Sequence, residues 1–251
     1  MDPIEAVVKA LLDAEDANAY YAALSSLSQH HDPRLVELLI DALNHEDTQI
    51  RYRAVLALRE MRSISAFEPL ITRLTDPDDT VRASAAVALG EYSDVRALQP
   101  IIETLSDPSL AVRFSAVHAL GELKDARAID GLLPLLTAHD MGMPEAAIRA
   151  LETIGDPRAV DPISSLLKHR DIRVRLSAVK ALGEFGDSRA VNPLIEVLHN
   201  RRNEKQNVYV STPPDGIPIV CRLAAQALEK IGTDVALEAV KRWRSTNFHE
   251  S

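Results

Sequence analysis

Three stretches of this chain repeat nearly the same twelve residues, and this repetition constrains the fold more than any other feature. The stretches are V-R-A-S-A-A-V-A-L-G-E-Y at Val81–Tyr92, V-R-F-S-A-V-H-A-L-G-E-L at Val112–Leu123 and V-R-L-S-A-V-K-A-L-G-E-F at Val174–Phe185. The arginine recurs, in steps of 31 residues or twice that, at Arg51, Arg82, Arg113 and Arg175. Pro144 holds the skipped position. A fixed period of about 20 to 50 residues is typical of a solenoid of stacked repeats.

A second repeated feature, Asp-x-Arg, follows the same spacing. It begins at Asp32, Asp94, Asp125, Asp156 and Asp187, and Ser63 holds the remaining position. The residues after Asp187 that follow the spacing of an amphipathic helix are Val191, Leu194, Ile195 and Leu198. Asp187 is a suitable N-cap for this helix, which we call helix A of the repeat.

The repeated arginine segment predicts a second helix, helix B, after a polar turn such as Ser106–Ser109. Val112, Ala116 and Leu120 lie on one face of this helix, and Gly121 comes near its end, as expected of a C-terminal cap. Helix A contains a proline at Pro69, Pro100, Pro162 and Pro193. Because a proline inside a helix removes a hydrogen bond, we expect helix A to be bent. Helix B contains a column of small residues, which would let neighbouring repeats approach closely: Ala57, Ala88, Ala119 and Ala181.

These patterns predict an all-α protein, an α-solenoid (superhelix) of about seven helix pairs with a 31-residue period and a C-terminal capping helix. We expect a single solenoid over residues 1–251. Residues 1–31 would be a degenerate N-terminal cap, and 32–186 would be regular repeats. Residues 187–232 would be the last repeat with an inserted loop at 200–218, and 233–251 the capping helix and tail. Terminal repeats are atypical because a naked end would expose the core.

Composition excludes several classes of protein. The net charge of −9 argues against a nucleic-acid partner, since phosphate binding needs an excess of lysine and arginine. No apolar stretch approaches about 18 residues, so no membrane span is expected. Cys221 is the only cysteine, which excludes an intrachain disulfide and a cysteine-based zinc site. The N-terminus lacks the pattern of a signal peptide, so we expect a soluble cytoplasmic protein.

No pattern in the sequence indicates catalysis. There is no phosphate-binding glycine loop and no G-x-S-x-G segment, and we predict neither catalytic residues nor a metal site. His45 and His169 share a repeat position at the end of helix A, where a histidine complements the helix dipole. We interpret them as structural.

Charged residues form two columns that admit two interpretations. The arginines are Arg51, Arg82, Arg113 and Arg175, and the glutamates are Glu60, Glu91, Glu122 and Glu184. Each column is either a charged binding groove or a ladder between repeats, in which the arginines satisfy turn oxygens or a neighbouring acid. We favour the ladder for the arginines and leave the glutamates open.

Helix B also contains positions that change from repeat to repeat, and a repeat protein places its specificity at such positions. If helix B lines the concave face, the candidates for partner contact are Tyr52, Phe114, His118, Arg149 and Lys180. The alternative is that Tyr52 and Phe114 simply pack into the neighbouring repeat.

Two repeats are irregular. In the fifth, Pro144 replaces the arginine and can begin a helix as its first residue. In the seventh, about 15 extra residues form the loop 200–218, whose candidate contact residues are Arg201, Arg202, Lys205 and Tyr209. Insertions in solenoids map to loops on one face, often the binding face. The loop is either a hook that clamps a partner or a tolerated insertion.

A bent first helix, an Asp-Pro turn, Val-Arg opening the second helix and Ala-Leu-Gly-Glu near its end resemble the HEAT-like repeat, and more narrowly the short type named for phycobilisome bilin lyases. The resemblance covers about residues 31–232. Members of this group attach or remove linear tetrapyrroles on phycobiliproteins. It implies a phycobiliprotein or a second HEAT-repeat subunit as partner and a bilin as cofactor, whose propionates Arg149 and Lys180 would bind.

One departure concerns the Y-Y-A-A-W-W run associated with the first lyase subunit. That run is not present in full; the nearest piece is Ile50–Val55, and the only tryptophan is Trp243. We therefore predict a non-catalytic scaffold or adaptor that binds a partner protein in its groove, without a cofactor. The alternative is a bilin lyase subunit, or a factor for phycobilisome assembly or degradation.

Overall fold

The computed structural model describes residues 2–27, 32, 34–199 and 217–247. Within these ranges the regular structure is entirely helical, which confirms the all-α repeat fold. The described helices form seven A–B pairs followed by a single helix. Contacts between residues divide the chain into two compact units, Met1–Asp125 and Ala126–Ser251, which we call the N-terminal and the C-terminal unit.

The N-terminal unit contains four helix pairs. Their bounds are α1 Pro3–Leu12, α2 Ala17–Leu27, α3 Arg34–Ala42, α4 Thr48–Met61, α5 Phe67–Thr72, α6 Asp79–Glu91, α7 Leu98–Thr104 and α8 Leu110–Leu123. Even-numbered helices are the B helices.

The C-terminal unit contains three pairs and a last helix. Their bounds are α9 Ile129–Leu132, α10 Met143–Ile154, α11 Val160–Ser165, α12 Ile172–Phe185, α13 Val191–His199, α14 Ile219–Ile231 and α15 Asp234–Asn247. The last helix covers the stretch where a capping helix is expected. Of the inserted loop, residues 200–216 lie outside the described residues, and with them Arg201, Arg202, Lys205 and Tyr209.

Helix A is built differently from the sequence interpretation. From the third pair onward it begins with a short 3-10 turn, such as Val95–Ala97, and continues as an α-helix, such as Leu98–Thr104. Pro100 is the third residue of that α-helix, where the N–H would have no partner inside the helix. The proline therefore marks the start of the α-helix after the 3-10 turn and does not remove one of its hydrogen bonds.

Aspartates fix the beginnings of both helices in a repeat. The side chain of Asp187 accepts a hydrogen bond from the Arg189 N–H, which confirms the predicted cap of helix A. At the B helices, Asp78 and Asp171 accept from N–H groups of the first turn in the same way. Each such cap stabilises its helix by about 1 kcal/mol. Pro144 lies in the first turn of α10 as its second residue, one position later than predicted, because the helix begins at Met143.

The glycine of the repeated Ala-Leu-Gly-Glu segment lies inside helix B, so the expectation that Gly121 caps the helix is wrong. A Cβ atom on Gly90 would lie 2.7 Å from the Cα atom of Ala119, and one on Gly183 would lie 2.9 Å from the Cβ atom of Ala227. Glycine and the alanine column together allow two B helices to touch. The left-handed residue that ends helix B comes three positions after the glycine, for example Lys124 with φ of 51°.

The core of each repeat lies between its two helices. The alanine and leucine positions of helix B, such as Ala88 and Leu89, are completely buried, and so are Phe67 and Leu70 of helix A. Burying a Leu or Phe side chain stabilises a fold by about 1.5–3 kcal/mol. Several of the residues of helix B that lie outside this core differ from repeat to repeat.

Candidate functional site: the turn ladders and the outer face of the B helices

The turn between the helices of each repeat is organised around the repeated arginine. Arg51 donates two hydrogen bonds of 2.9 Å to the carboxylate of Asp76 in the next repeat and two more to the carbonyl oxygens of His45 and Glu46. The side chain of Asp76 is fully buried and that of Arg51 is 9% exposed. Burial alone would raise the pKa of Asp76, but hydrogen bonds from Arg51 and the Asp78 N–H outweigh it and hold the pKa below its usual value.

The next repeat reproduces this arrangement. Arg82 donates to both carboxylate oxygens of Asp107, at 2.7 and 2.9 Å, and to the carbonyl oxygens of Asp76 and Pro77. The hydrogen bond from Arg82 lowers the pKa of Asp107, although partial burial acts in the opposite direction. Arg113 likewise donates to the carbonyl oxygens of Asp107 and Pro108. These arginines are occupied by turn oxygens, which is the geometry expected of a ladder.

In the C-terminal unit a histidine takes over one function of the aspartate. Arg175 donates to the carbonyl oxygens of His169 and Arg170, as its counterparts do. At the position of Asp76 stands His169, whose Nδ1 accepts a hydrogen bond of 3.1 Å from the Asp171 N–H. His45 accepts from the Asp47 N–H in the same way. Both histidines hold the turn as acceptors, so their position reflects turn capping more directly than the helix dipole.

A second ladder, which sequence reasoning missed, is formed by the arginines of the Asp-x-Arg segments. Arg158 bonds to its own Asp156 and also donates to the carbonyl oxygen of Ala126 in the preceding repeat, at 2.8 Å. Arg189 repeats this contact with the carbonyl oxygen of Pro157, at 2.7 Å. The spacing of Asp-x-Arg was visible in the sequence, but the spacing alone does not say which oxygen the arginine reaches.

The glutamate column has no uniform role. Glu60 pairs with Arg59, and Glu91 lies 3.8 Å from the same arginine. Glu184 is paired with Lys230 of the following B helix. Glu122 is exposed, and no ion pair involves it within the described residues. The column is therefore a set of individual surface pairs.

We call the row of residues one and five positions after the repeated arginine the outer face of the B helices. In the N-terminal unit this face is largely apolar, and all but the last of its residues are half-buried: Tyr52, Leu56, Ala83, Val87, Phe114 and the exposed His118. Three of the predicted contact residues, Tyr52, Phe114 and His118, thus lie on one kind of surface. Their partial burial leaves apolar area available to a partner.

Helix α2 adds an aromatic group that the sequence interpretation overlooked. Tyr20 and Tyr21 meet edge to face, with ring centroids 5.6 Å apart, and Tyr21 is 64% exposed. Burial raises the pKa of the Tyr20 hydroxyl, and the charge of Glu60 raises it further. Residues 20–23 read Y-Y-A-A, so the first part of the Y-Y-A-A-W-W run is present, and naming Ile50–Val55 as its nearest piece is wrong.

The same face in the C-terminal unit is charged. Arg149 on α10 and Lys180 on α12 are both exposed, and these two helices are consecutive B helices that pack against each other. Glu152 takes the position that glycine occupies in α6 and α12, and it is half-buried. Burial raises the pKa of Glu152 and Glu184 raises it further, while Lys230, Arg149 and Lys180 act in the opposite direction.

Other candidate chemistry is absent from the described residues. Cys221 is buried, and its Sγ lies 3.3 Å from the carbonyl oxygen of Val197, as expected of an inert thiol. No group of three or more metal-ligating side chains comes together in the part of the chain that the structure describes. The helices within that part are also too short or too polar to cross a membrane.

Stacked two-helix repeats, tied by turn arginines and by contacts between small residues, define the chain as an α-solenoid repeat protein. A family model described as HEAT repeats matches residues 4–90, 67–143 and 140–208. The chain therefore belongs to the HEAT-repeat family.

Three solved structures place the fold among known proteins. A chain of the complex of CpcE and CpcF of phycocyanin lyase from Nostoc sp. is 28% identical, with 84% of this chain and 82% of that chain covered and a TM-score of 0.54. The Escherichia coli protein YibA is 19% identical over 98% of this chain and 87% of that one, with a TM-score of 0.66. An archaeal HEAT-like repeats protein from Thermococcus onnurineus is 18% identical over 94% and 98%, with a TM-score of 0.58. No curated protein matches the sequence.

Proposed function

We propose that this chain is a protein-binding scaffold that takes its partner on the outer face of its B helices. The observation that carries the proposal is the half-buried apolar row in the N-terminal unit, represented by Tyr52, Val87 and Phe114. Protein interfaces are enriched in aromatic residues and depleted in charge at their centre.

The contrast with the turn side supports this choice of face. The arginines of the turn ladder are already bonded to turn oxygens and to buried carboxylates, as Arg51 and Arg82 show. The positions on helix B change between Leu56, Val87 and His118 while the buried positions beside them keep alanine and leucine. A position that varies while the fold stays the same is available for recognition of a partner.

Site-specific photo-crosslinking tests the proposal. A photoreactive residue is placed at Val87, on the B face, and at Val95, a 56% exposed valine in the 3-10 turn of the same unit. We expect a discrete adduct, identifiable by mass spectrometry, at position 87 and none of the same identity at 95. Purified partner should then bind less tightly to Phe114→Glu. The same adduct at both positions, or none at 87, would contradict a B-face interface.

A second function, a subunit of a phycobiliprotein lyase, is favoured by the likeness to the CpcE–CpcF complex, which is 28% identical over 84% of this chain. The Y-Y-A-A stretch at residues 20–23 is consistent with this candidate. In this function the same B face would hold a phycobiliprotein, a second HEAT-repeat subunit would complete the complex, and a bilin would be the cofactor.

This candidate is tested by mixing the purified chain with phycocyanin subunits, with and without bilin and with and without a second HEAT-repeat subunit. Size-exclusion chromatography with absorbance detection reports whether a coloured complex elutes. A coloured complex, or transfer of the bilin to a phycocyanin cysteine, supports the candidate. A chain that stays colourless and monodisperse in every mixture removes the lyase function and leaves the scaffold to be judged by crosslinking.

A further inference from the structure

Two cations on the outer face of the C-terminal unit stand out by their lack of partners. Arg149 and Lys180 are exposed, and within the described residues neither side chain forms an ion pair or a hydrogen bond. Several basic residues of this unit are paired, as Arg158 is with Asp156 and Lys230 with Glu184, although the exposed Lys241 also lacks an ion pair among the described residues. An unpaired cation is ordinary by itself, but these two occupy the same position in consecutive repeats.

The carboxylates beside them are already engaged or sheltered. Glu145 lies 3.8 Å from Arg173, and Glu184 is paired with Lys230. Glu152 is half-buried, and burial raises its pKa more strongly than the charges of Arg149 and Lys180 lower it, without an ion pair among the described residues. The exposed ends of Arg149 and Lys180 therefore remain available to a group from outside.

The repeat geometry sets the separation of the two cations. They lie at equivalent positions of α10 and α12, which pack against each other. Packed helices are about 8–10 Å apart. Two carboxylates separated by two turns of a helix are about 10 Å apart, because each residue adds about 1.5 Å. A helix that carries acidic residues seven positions apart matches this spacing.

We propose that the outer face of α10 and α12 recognises a partner helix with two acidic residues two turns apart, one bound by Arg149 and the other by Lys180. Arg149 can form a bidentate pair with a carboxylate, and Lys180 supplies a point charge. Half-buried Leu176, one turn before Lys180 on the same face of α12, offers apolar contact beside Lys180. This inference rests on the proposed function, since it names the chemistry of the partner that the B face binds.

The overall charge of the chain makes the pair selective. The net charge of −9 repels an acidic partner elsewhere, so contact is favoured only where unpaired cations face it. The interaction should also weaken as salt is added, because exposed charges are screened over about 10 Å at moderate ionic strength. Binding through the apolar row of the N-terminal unit should not weaken with salt in this way.

The experiment measures fluorescence anisotropy of a labelled alanine-based helical peptide with glutamate at every seventh position, at low salt. A matched peptide carries glutamine instead. The full chain is compared with the double variant Arg149→Glu and Lys180→Glu. The control is Lys124→Glu with Lys241→Glu, two exposed lysines that also lack ion pairs among the described residues. All side chains changed are exposed, and urea unfolding verifies that each variant is folded.

We expect the chain to prefer the glutamate peptide by about fivefold or more, the factor that two exposed pairs of about 0.5 kcal/mol each supply. The preference should disappear in the Arg149/Lys180 variant and persist in the lysine control. An equal affinity for both peptides, or a preference that survives in the Arg149/Lys180 variant, would overturn the inference. Crosslinking at Val87 tests the scaffold function separately. A failed scaffold function and a failed acidic-helix inference can therefore be told apart.

Discussion

The N-terminal and C-terminal units are built from the same helix pair, yet they differ at three repeated positions. A buried carboxylate, Asp76, holds a turn arginine in the N-terminal unit, where His45 shows that histidine also occupies this turn position, and His169 occupies it in the C-terminal unit. Helix B ends on a left-handed non-glycine residue in the first unit, such as Lys124, and on glycine in the second, such as Gly186. The outer face of helix B is apolar in the first unit and charged in the second.

The first two differences show that a turn needs an acceptor and a left-handed residue, but that more than one residue type supplies each. The third difference has no such equivalence, because an apolar row and a charged row do not make the same contacts. The turns therefore serve the fold, whereas the different outer faces of the two units fit the proposal that this face binds a partner. The following predictions test how far that separation holds.

Removing the buried acceptor should have the largest effect. Asp76→Ala leaves Arg51 as a buried charge without its carboxylate and should lower the free energy of unfolding by about 3–5 kcal/mol in urea denaturation. His169→Ala in the other unit removes a single hydrogen-bond acceptor and should lower the free energy of unfolding by about 1 kcal/mol. Equal losses in the two variants would show that the buried pair has no special weight. A double variant, Arg51→Leu with Asp76→Leu, should regain much of the loss.

The pair of Arg51 and Asp76 should also make the stability of the chain depend on pH in the acidic range. The pKa of Asp76 is lower in the folded chain than in the unfolded one, so its stabilisation is complete above the unfolded pKa of about 3.9 and is lost as the pH falls through the folded pKa. Each unit of that difference corresponds to about 1.4 kcal/mol. Urea unfolding at neutral and at acidic pH should therefore show a larger loss for the wild-type chain than for the Arg51→Leu, Asp76→Leu variant. Parallel losses would contradict the assignment.

Substitutions at the close contacts between B helices should have the next largest effect on stability. Gly90→Ala forces a methyl group to within 2.7 Å of the Ala119 Cα atom, and we expect destabilisation of about 1–3 kcal/mol despite the better helix propensity of alanine. Gly183→Ala meets the Ala227 methyl group at 2.9 Å and should cost somewhat less. Ser84→Ala, on the same helix as Gly90, is the control. Stabilisation by Gly90→Ala would refute the close-approach role of the glycine.

The ends of the B helices should give the smallest effect and opposite signs in the two units. Lys124→Gly should stabilise the chain by up to about 1 kcal/mol, because glycine adopts the left-handed conformation without strain. Gly186→Ala should destabilise it by about 1 kcal/mol, and a Cβ there would meet no atom within 4 Å, so the effect would be purely conformational. Thermal unfolding measures both; changes of the same sign would contradict the comparison.

The sequence predicted the repeat, its period and its helix pairs, because these depend on apolar spacing and on caps such as Asp187 that act over a few residues. It did not predict where Pro100 lies in helix A, since a 3-10 turn before the α-helix shifts the boundary without changing the pattern. It also misplaced Gly121, because α8 continues to Leu123 and ends on the left-handed Lys124. It found the arginine column and favoured a ladder over a groove, but it could not name the carboxylate that each arginine reaches. The carboxylate bound by Arg51 is Asp76, which lies 25 residues away along the chain.

The candidate site was predictable only as a set of variable positions. Tyr52, Phe114, His118, Arg149 and Lys180 do lie on the B helices, but their surroundings depend on the neighbouring repeat, which a single-repeat pattern does not contain. Glu152 was missed because it stands where other repeats carry glycine, and its burial follows from packing between α10 and α12. The role of the five predicted contact residues in binding a partner stays a prediction.

The central claim is that the outer face of the B helices binds the partner while the turns hold the fold. The most direct measurement is calorimetric titration of the partner identified by crosslinking into the wild-type chain, Val87→Glu and Val95→Glu. We predict that Val87→Glu weakens binding by about tenfold or more, equivalent to about 1.4 kcal/mol, while Val95→Glu leaves the affinity unchanged. Equal affinities in all three proteins, or equal losses in both variants, would contradict the account.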